Sequence, residues 1–479
     1  MKKNKNILFY LIITVSFLLA MYWIVQKGKT LEADKIPTTS AVINDHLHVG
    51  SIYDNLWSNV TSPLSVLLLQ IIVILVAARL FGFLFKKIRQ PAVIGEVVAG
   101  IFLGPSILGA WFPGLTRFLF PKISLPNLQF FSQLGIILFM FVIGMELDLK
   151  VLKTKVRAAV IISHASIIIP YALGMGLAFF LYREYAPDNI GFLSFSLFLG
   201  IAMSITAFPV LARILRERGM TGTNIGTIAI ACAAADDVTA WFILAGVISI
   251  VKAGSSVSAL ITMIMALTYI VIMLKLVKPF LQRVSKHTAE GQTLSLEMVA
   301  LMFGVFLLSA YTTEVIGIHA LFGAFMGGII MPSSANFRKL LTDKIEYVSL
   351  GLLLPLFFAF SGLRTQIGLL NTIHAWEVCA VLIFIAILGK FGGSMFAARF
   401  VGLSWKDSIV IGALINTRGL MELIILNIGY DLGVLNSEIF TMMVIMALVT
   451  TFMTGPVLDY MNRVATKERR RVGTEAQGV

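Results

Sequence analysis

The chain has 479 residues, of which 58% are hydrophobic and only 13% charged, and its formal net charge is +13. Soluble globular chains carry about 25% charged residues, so this composition excludes a soluble enzyme or a nucleic-acid-binding protein despite the basic excess. The apolar residues fall in runs of about 20, the length of a helix that crosses a bilayer, and they predict an all-α polytopic membrane protein. Cys232 and Cys379 both lie inside such runs, which excludes a disulfide scaffold.

The N-terminal residues 1–26 combine the basic segment MKKNKN with an apolar run over about 7–26. This pattern fits a signal peptide or a transmembrane anchor, and the length of the run and the lack of a clean A-x-A site favour the anchor. A polar segment, 27–63, follows. A membrane domain over 64–460 and a short basic tail, 461–479, complete the chain. The domain has thirteen apolar runs: 64–86, 91–110, 129–148, 158–182, 191–215, 226–251, 257–280, 295–313, 317–333, 347–367, 375–400, 408–429 and 437–460.

Basic residues are unevenly divided between the loops that join these runs, which we number as spans one to thirteen. The loops and the tail that follow odd-numbered spans hold 24 Lys and Arg residues. The loops after even-numbered spans hold five, namely Arg117, Lys122, Arg183, Lys252 and Arg364. Because cytoplasmic loops are enriched in Lys and Arg, we expect the odd-side loops and the C-terminus in the cytoplasm and residues 27–63 outside.

Ionisable side chains are found at the centres of three predicted spans. Each costs about 2.5–3.5 kcal/mol on insertion, so such residues are functional candidates by default. Asp236 and Asp237 lie in span six, Lys390 in span eleven, and Arg418 with Glu422 in span twelve. At 1.5 Å per residue, the three spans place charge about 15 Å from the cytoplasmic face. Charge at one common depth predicts a single site near mid-membrane.

Two spans contain an interruption at the same level. In span five, Pro209 removes a backbone hydrogen bond from an otherwise helical run. Span twelve has the irregular centre Asn416-Thr417-Arg418-Gly419. Freed carbonyls are tolerated at this depth only where they line a cavity or are buried in protein. Interrupted helices in corresponding places of two halves, here spans one to six and eight to thirteen, indicate a transporter site.

The charges in this predicted site almost balance. Arg418 and Glu422 are spaced i, i+4 and can neutralise each other, and Lys390 can pair with one aspartate of span six. One carboxylate then has no fixed partner, among oxygen ligands such as Thr206 and bare carbonyls. A desolvated carboxylate binds a proton strongly, and oxygen ligands suit a monovalent cation. One group that takes either ion, but not both together, predicts cation/proton exchange.

The same residues lie in segments that resemble the CPA2 class of cation/proton antiporters, particularly the plant cation/H+ exchangers (CHX) and bacterial double-aspartate Na+(K+)/H+ antiporters. The resemblance runs through the membrane domain, and its combination of motifs is highly specific. The segments are QPAVIGEVVAGIFLGPSILG (90–109), GIILFMFVIGMELDL (135–149), SITAFPVLARIL (204–215), AADDVTAW (234–241), FGAFMGGIIMP (322–332), PLFFAFSGLRT (355–365) and NTRGLMELIILNIG (416–429).

The resemblance implies two inverted repeats with two broken, crossing helices, a dimerisation domain and a mobile core domain. It also implies a homodimer, elevator-like alternating access and a place in the bacterial inner membrane, in contact with its lipids. By the family's pattern Asp237 binds the ion, and Asp236 pairs with Lys390. A double aspartate is also the pattern for which electrogenic exchange is expected. One departure is that many plant members carry a long cytosolic tail, so we carry over no regulation through such a tail.

The residues leave several roles open. Lys390 is a counter-ion or a proton carrier, and Arg418 with Glu422 is a scaffold for the broken helix or touches the ion. Thr206 is a cation ligand or bonds back to its own helix. The aspartate pair itself has a purely structural alternative, in which Lys390 and ordered water satisfy it.

Other functions have weaker support in the sequence. Gly389-Lys390 lacks the other residues of a phosphate-binding loop, so we expect no nucleotide site. The histidines show no paired ligand spacing, and we expect no cofactor and no metal beyond the transported ion. No TVGYG-like filter occurs, but a cation channel or an uncoupled uniporter on the same fold stays the alternative. The sequence does not choose between K+ and Na+.

Overall fold

The structure, a computed structural model, describes residues 14–27, 49–88, 90–146, 156–253, 256–288, 296–332 and 335–475. Within these ranges the regular elements are all helices, which confirms the predicted all-α class. The chain divides into two compact units between Thr61 and Ser62.

The smaller unit contains two described helices. Residues 14–27 form α1, which covers the second part of the predicted anchor, whereas residues 1–13 lie outside the described residues. Most of the predicted polar segment also lies outside them, but its end forms the helix α2 (Val49–Val60). The hydropathy pattern does not indicate α2, because polar residues interrupt its short apolar stretches.

The larger unit is a bundle of apolar helices. Its first half consists of α3 (Pro63–Lys87), α4 (Ala92–Leu103), α5 (Leu108–Trp111), α6 (Pro113–Leu119), α7 (Leu125–Glu146), α8 (Val156–Tyr185), α9 (Phe192–Ser204), α10 (Phe208–Glu217) and α11 (Asn224–Ala253). Then follow α12 (Ser256–Ile272) and α13 (Lys278–Thr288), which the π-helical turn Met273–Val277 joins into one stretch.

The second half contains two more π-helical turns and one 3₁₀ turn. Its elements are α14 (Leu296–Ile316), α15 (Ala320–Ile329), α16 (Ala335–Val348), the π turn Ser349–Leu353, α17 (Leu354–Arg364), the 3₁₀ turn Ile367–Leu369, α18 (Ile373–Ile387), the π turn Leu388–Gly392, α19 (Gly393–Phe400), α20 (Trp405–Ile415), α21 (Leu420–Asp431) and α22 (Ser437–Glu475).

The predicted runs all fall on helices, but they are not equally long. Among the described residues, 11 helices are long and apolar enough to cross a membrane, or 12 when the bent pair α20–α21 counts as one span. The run 317–333 contains only α15, which at ten residues is about 15 Å long, half the thickness of a hydrocarbon core. Backbone with positive φ at Gly317 and His319 delays its start.

The C-terminal helix is longer than the sequence suggests. Residues 461–475 of the predicted basic tail continue α22 without a break, and residues 476–479 lie outside the described part. A basic segment outside a bilayer is solvated, and its Lys, Glu and Arg residues have high helix propensity, so the helix does not end where the apolar pattern ends.

Spans five and twelve are both broken at the predicted places. Residues 205–207 separate α9 from α10, whose second residue is Pro209, so the carbonyl of Ile205 has no helical donor. Residues 416–419 separate α20 from α21, and the two helices are bent by 41°. The last residue of that break, Gly419, has φ +137° and ψ −116°, a conformation that only glycine adopts without strain.

The breaks lie where two apolar cores meet. One core includes Ile205, Ala234 and Leu420, and the other includes Ala207, Ala233 and Ile415. The chain passes from one core to the other at both breaks and in α11. The candidate site described below lies at this boundary.

Candidate functional site

The two broken helices touch through their irregular segments. The backbone N–H of Ala207 donates to the carbonyl oxygen of Thr417 over 3.0 Å. The Thr206 hydroxyl lies 3.3 Å from the carbonyl oxygen of Ile415. Each break therefore satisfies part of the backbone that the other leaves open, and four helix ends converge on one point inside the bundle.

Two buried cations bind the carboxyl end of α9. The guanidinium of Arg418 donates to the carbonyl oxygens of Ala202 and Met203, at 3.1 and 2.6 Å. The ammonium of Lys390 donates to the carbonyl oxygen of Ser204 at 2.5 Å. The last carbonyls of a helix have no intrahelical donor and carry partial negative charge, so both cations stabilise this broken end.

Asp236 accepts hydrogen bonds on both carboxylate oxygens. Ser163 donates to Oδ1 at 2.5 Å, and Ser166 and Thr206 donate to Oδ2 at 2.7 and 2.6 Å. Lys390 Nζ lies 3.7 Å from the same Oδ2. The Asp236 and Lys390 side chains are both fully buried, so this is a buried ion pair with additional hydrogen-bond partners.

A proline in α8 makes the position of Lys390 possible. Pro170 has no N–H, so the carbonyl of Ser166, four residues earlier, lacks its helical donor. Lys390 donates to that carbonyl oxygen at 3.1 Å. The side chain of Lys390 projects from the π-helical turn Leu388–Gly392. A Cβ atom on the neighbouring Gly389 would lie 3.0 Å from the Cα of Pro170, so glycine allows this close approach.

Asp237 differs from Asp236 in its surroundings. It is 2% exposed, and neither carboxylate oxygen has a hydrogen-bond partner among the described residues. Neighbouring residues of a helix point in different directions, so the two aspartates share a level but not their partners. Burial of a carboxylate without a partner is costly unless it binds a proton or a cation. Asp237 is therefore the carboxyl group of the site whose oxygens are left open among the described residues.

The remaining predicted residues support the second break. Arg418 Nη1 lies 3.2 Å from Glu422 Oε2, and both side chains are fully buried. The backbone N–H of Arg418 donates to the Thr451 hydroxyl of α22 at 3.1 Å. The Thr417 and Thr454 hydroxyls lie 3.3 Å apart. Asn416 is buried beside them, and its amide makes no hydrogen bond to the described residues.

The structure adds residues that no sequence pattern singled out. Ser163, Ser166 and Pro170 form a wall on α8, and Gly389 packs against that helix. A lone serine in an apolar span carries little signal, because its hydroxyl can bond to its own helix. The sequence does contain one indication of this wall. Pro170 lies inside an apolar span and frees a backbone carbonyl, as Pro209 does.

A crevice lies between the ends of α7, α14, α17 and α21 and has a volume of about 250 Å³. Arg364, at the end of α17, contacts Asp431 at 2.8 Å and Asn427 at 2.9 Å, both on α21. Asn427 also donates to the Ser361 hydroxyl of α17 at 2.8 Å. These contacts join α17 to the half of the broken helix that follows Gly419.

Comparisons with known proteins agree on one family. Residues 71–461 match the transmembrane sodium/hydrogen exchanger family. The chain is 43% identical over 399 residues to the Na(+)/H(+) antiporter NhaS4 of Synechocystis sp., with 83% of this chain and 97% of the relative covered. The predicted family is confirmed by these matches.

Eukaryotic relatives match over a smaller share of their own length. Cation/H(+) antiporter 17 of Arabidopsis thaliana is 40% identical over 424 residues, which cover 85% of this chain and 51% of the relative. K(+)/H(+) antiporter 1 of Saccharomyces cerevisiae is 34% identical over 430 residues, which cover 88% and 49%. The chain thus spans about half the length of these plant and yeast relatives.

A solved structure shares the fold. The sodium proton antiporter MjNhaP1 from Methanocaldococcus jannaschii at pH 8 superposes with a TM-score of 0.60 at 17% identity, with 83% of this chain and 96% of that chain covered. At this identity the match concerns the fold.

Proposed function

Because the chain belongs to the sodium/hydrogen exchanger family, we propose that it exchanges a monovalent cation, K+ or Na+, for protons across a membrane, with Asp237 binding the two ions in turn. The observation that carries the proposal is the pair of unpartnered, buried oxygens of Asp237 between two broken helices. Relatives are named as Na(+)/H(+) and as K(+)/H(+) antiporters, so both cations are candidates.

Competition for one carboxyl group explains the coupling. When a proton is bound, the Asp237 carboxyl is neutral and has no charge to attract a cation. When the proton leaves, the carboxylate is a hard oxygen ligand, and the Thr206 hydroxyl oxygen and the carbonyls of the breaks supply further oxygens of the kind such cations prefer. The site then holds either ion but not both.

The neighbouring charges have supporting roles in this proposal. Lys390 acts as the counter-ion of Asp236, because it lies 3.7 Å from that carboxylate and donates to two carbonyls. Arg418 and Glu422 are the scaffold of the breaks, because Arg418 binds carbonyls at the end of α9 and pairs with Glu422.

We further propose the architecture that the family resemblance implies. Twelve full-length spans and the half-length α15 form two inverted repeats, with a dimerisation domain and a mobile core domain, and two chains form a homodimer. Transport follows an elevator-like movement of the core domain. The corresponding positions of the breaks, in the fifth and twelfth spans, support the repeats, and the shared fold with a solved antiporter supports the overall arrangement.

The orientation follows from the basic residues. We propose that the loops after odd-numbered spans and the C-terminus are cytoplasmic and that residues 27–63 are outside, because the ratio of basic residues is 24 to 5. In a bacterial host this membrane is the inner membrane. In this orientation the crevice beside Arg364 opens to the outside.

Proteoliposomes with an imposed pH gradient and an internal pH dye test the exchange. Addition of Na+, K+ or Li+ should dissipate the gradient in the wild type and not in Asp237→Asn. The matched control is Asp188→Asn, an exposed aspartate in the loop before α9, which should behave as wild type. An Asp237→Asn protein with full cation-coupled activity would refute the assignment of the site.

The same vesicles separate the alternative function. A cation channel or an uncoupled uniporter would conduct a cation current without moving protons. Proton movement that saturates with cation concentration supports the antiporter, whereas cation flux that leaves the internal pH unchanged supports the alternative.

A further inference from the structure

The wall that α8 contributes to the site faces the ion pair and not the exchanging aspartate. On the basis of the proposed exchange, we propose that α8 supplies positioning residues for it. Ser163 and Ser166 keep Asp236 in its carboxylate form, and the same helix keeps Lys390 in its ammonium form. Asp237 alone then exchanges ions, with one proton released for each cation bound.

The hydrogen bonds of Asp236 favour the carboxylate. Oδ1 accepts from Ser163 at 2.5 Å, and Oδ2 accepts from Thr206 at 2.6 Å. A carboxylate only accepts, whereas a carboxylic acid must donate its own hydrogen and displace one of these donors. The Ser166 hydroxyl, at 2.7 Å from Oδ2, also lies 2.8 Å from the carbonyl oxygen of Ser163, so its hydrogen can serve either acceptor. A substitution of Ser163 therefore tests the hydrogen bond to Asp236 more directly than a substitution of Ser166 does.

The acceptor oxygens around Lys390 favour the ammonium, against the cost of its full burial. Its nitrogen faces three acceptor oxygens: the carbonyl of Ser204 at 2.5 Å, the carbonyl of Ser166 at 3.1 Å and Asp236 Oδ2 at 3.7 Å. An ammonium has three donors for three acceptors, whereas a neutral amine would turn its lone pair toward one of them. The Ser204 carbonyl is also at the negative end of α9, which favours a cation. Pro170 contributes by leaving the Ser166 carbonyl available.

The other charges near this pair cancel among themselves. Arg418 disfavours a second cation at Lys390, but Glu422 neutralises it at 3.2 Å, and two carbonyls of α9 share its charge. On α11 the titratable neighbours of Asp236 are Asp237 and, one turn earlier, Cys232. Arg418, Glu422 and Cys232 therefore give the pair no fixed excess charge, and Asp237 is the one neighbour named here whose charge changes in the proposed cycle.

The exchange step is then balanced at one group. The O–H bond of the Asp237 carboxylic acid breaks, the proton leaves to the solution that the site faces, and a cation M+ takes its place on the carboxylate. One positive charge replaces another, so no net charge crosses the membrane in a full cycle. This differs from the electrogenic exchange that the double aspartate suggests by resemblance.

The stoichiometry is measured as a null point in proteoliposomes. A tenfold Na+ gradient is opposed by a series of pH gradients, with equal thiocyanate on both sides to hold the membrane potential near zero. Exchange of one proton per cation stops when the pH gradient is about one unit, since equal concentration ratios then oppose each other. Exchange of two protons per cation stops at about half a unit.

Variants of Ser163 test the positioning role. In Ser163→Ala, Asp236 loses a hydrogen bond to its charged form and takes a proton more readily. The Lys390 charge is then uncompensated and repels the incoming cation. We expect the pH of half-maximal exchange to rise by about one unit, and the affinity for Na+ below that pH to fall about tenfold. Ser163→Thr keeps the hydroxyl and should restore the wild-type profile.

The matched control is Ser196→Ala, at a buried serine of α9 whose hydroxyl, among the described residues, bonds only to the carbonyl of Leu193 in its own helix. A wild-type null point near half a unit, or a pH profile of Ser163→Ala identical to that of Ser196→Ala, would overturn the inference while leaving the antiporter intact. Absence of any cation-dependent proton movement in the wild type would overturn the proposed function itself, and the inference with it.

Discussion

The ammonium of Lys390 lies 3.1 Å from the carbonyl oxygen of Ser166, an acceptor that Pro170 leaves free inside α8. The same relationship occurs in α22, where Pro456 frees the carbonyl of Phe452 and Gln90 donates to it at 3.2 Å. Pro170 and Pro456 therefore each leave an acceptor that a side chain from another segment uses. In these two helices the proline does not only interrupt the backbone hydrogen bonds. It also leaves a carbonyl to which another segment donates.

Substitution of Pro170 should raise the stability of the protein while it lowers the exchange activity. In Pro170→Ala a new N–H competes with Lys390 for the Ser166 carbonyl, while the helix gains up to about 3 kcal/mol in propensity. We expect a higher midpoint of thermal unfolding in detergent together with an exchange rate about tenfold lower. Pro456→Ala is the control, because the Phe452 carbonyl that Pro456 frees accepts from Gln90 and not from a residue of the site. Equal losses of exchange in the two variants would contradict this role for Pro170.

Removal of the buried cation should destabilise the protein through the partner that it leaves behind. In Lys390→Met the Asp236 carboxylate loses its counter-ion, which costs about 3–5 kcal/mol for a buried pair. Lys275→Met, at an exposed position of another π-helical turn, should cost little. Thermal unfolding in detergent measures both.

A double variant checks the cause of that loss. Asp236→Asn combined with Lys390→Met removes both charges and should recover most of the stability, because coupled residues are not additive. A double variant as unstable as the sum of its two single variants would show that the two side chains do not act as a pair.

The conformation of Gly419 should be required for the second break. Its φ of +137° is strained for any residue with a Cβ, which costs about 1–3 kcal/mol, and that Cβ would lie 3.3 Å from Val210 of α10. Gly419→Ala should lower both the unfolding temperature and the exchange rate. Gly246→Ala in α11, where a new Cβ meets nothing within 4 Å, serves as control and should leave both unchanged.

A reversible cross-link between α17 and α21 should test the proposed elevator movement. The Ser361 hydroxyl and the Asn427 amide are 2.8 Å apart, so cysteines at both positions can be bridged by Hg²⁺. In a Cys232→Ala, Cys379→Ala background, the bridge should stop exchange, and a thiol reagent should restore it. Each single cysteine variant should be insensitive to Hg²⁺. Full exchange in the bridged protein would mean that α17 and α21 do not move relative to each other during transport, which would contradict this prediction.

Features with a signature in one segment were predictable from the sequence. Asp237 is conspicuous because charge is rare in an apolar run, and the break before Pro209 follows from the missing N–H. Depth along each helix then placed Asp237, Lys390 and Arg418 at one level, and the structure brings their helices together around the end of α9.

Features that depend on tertiary contact were not predictable. Ser163 matters only because α8 packs against α11, and nothing in its own segment indicates that neighbour. The shortness of α15 depends on local backbone with positive φ at His319, which is unusual for a residue other than glycine. The helical end of α22 depends on the helix propensity of its charged residues, which a hydropathy pattern does not measure.

The pairing of fixed charges around Asp237 has a consequence for energy conservation. Lys390 faces Asp236, and Arg418 faces Glu422, so the net charge of the site is that of Asp237 alone. In the proposed exchange, the site is neutral with a proton or a cation bound and negative with neither. Moving an unpaired charge through a low-dielectric layer costs several kcal/mol, so under this proposal the empty carrier crosses least often. The proposal therefore implies that this electrostatic penalty suppresses slippage, in which one gradient dissipates without charging the other, without any separate gate.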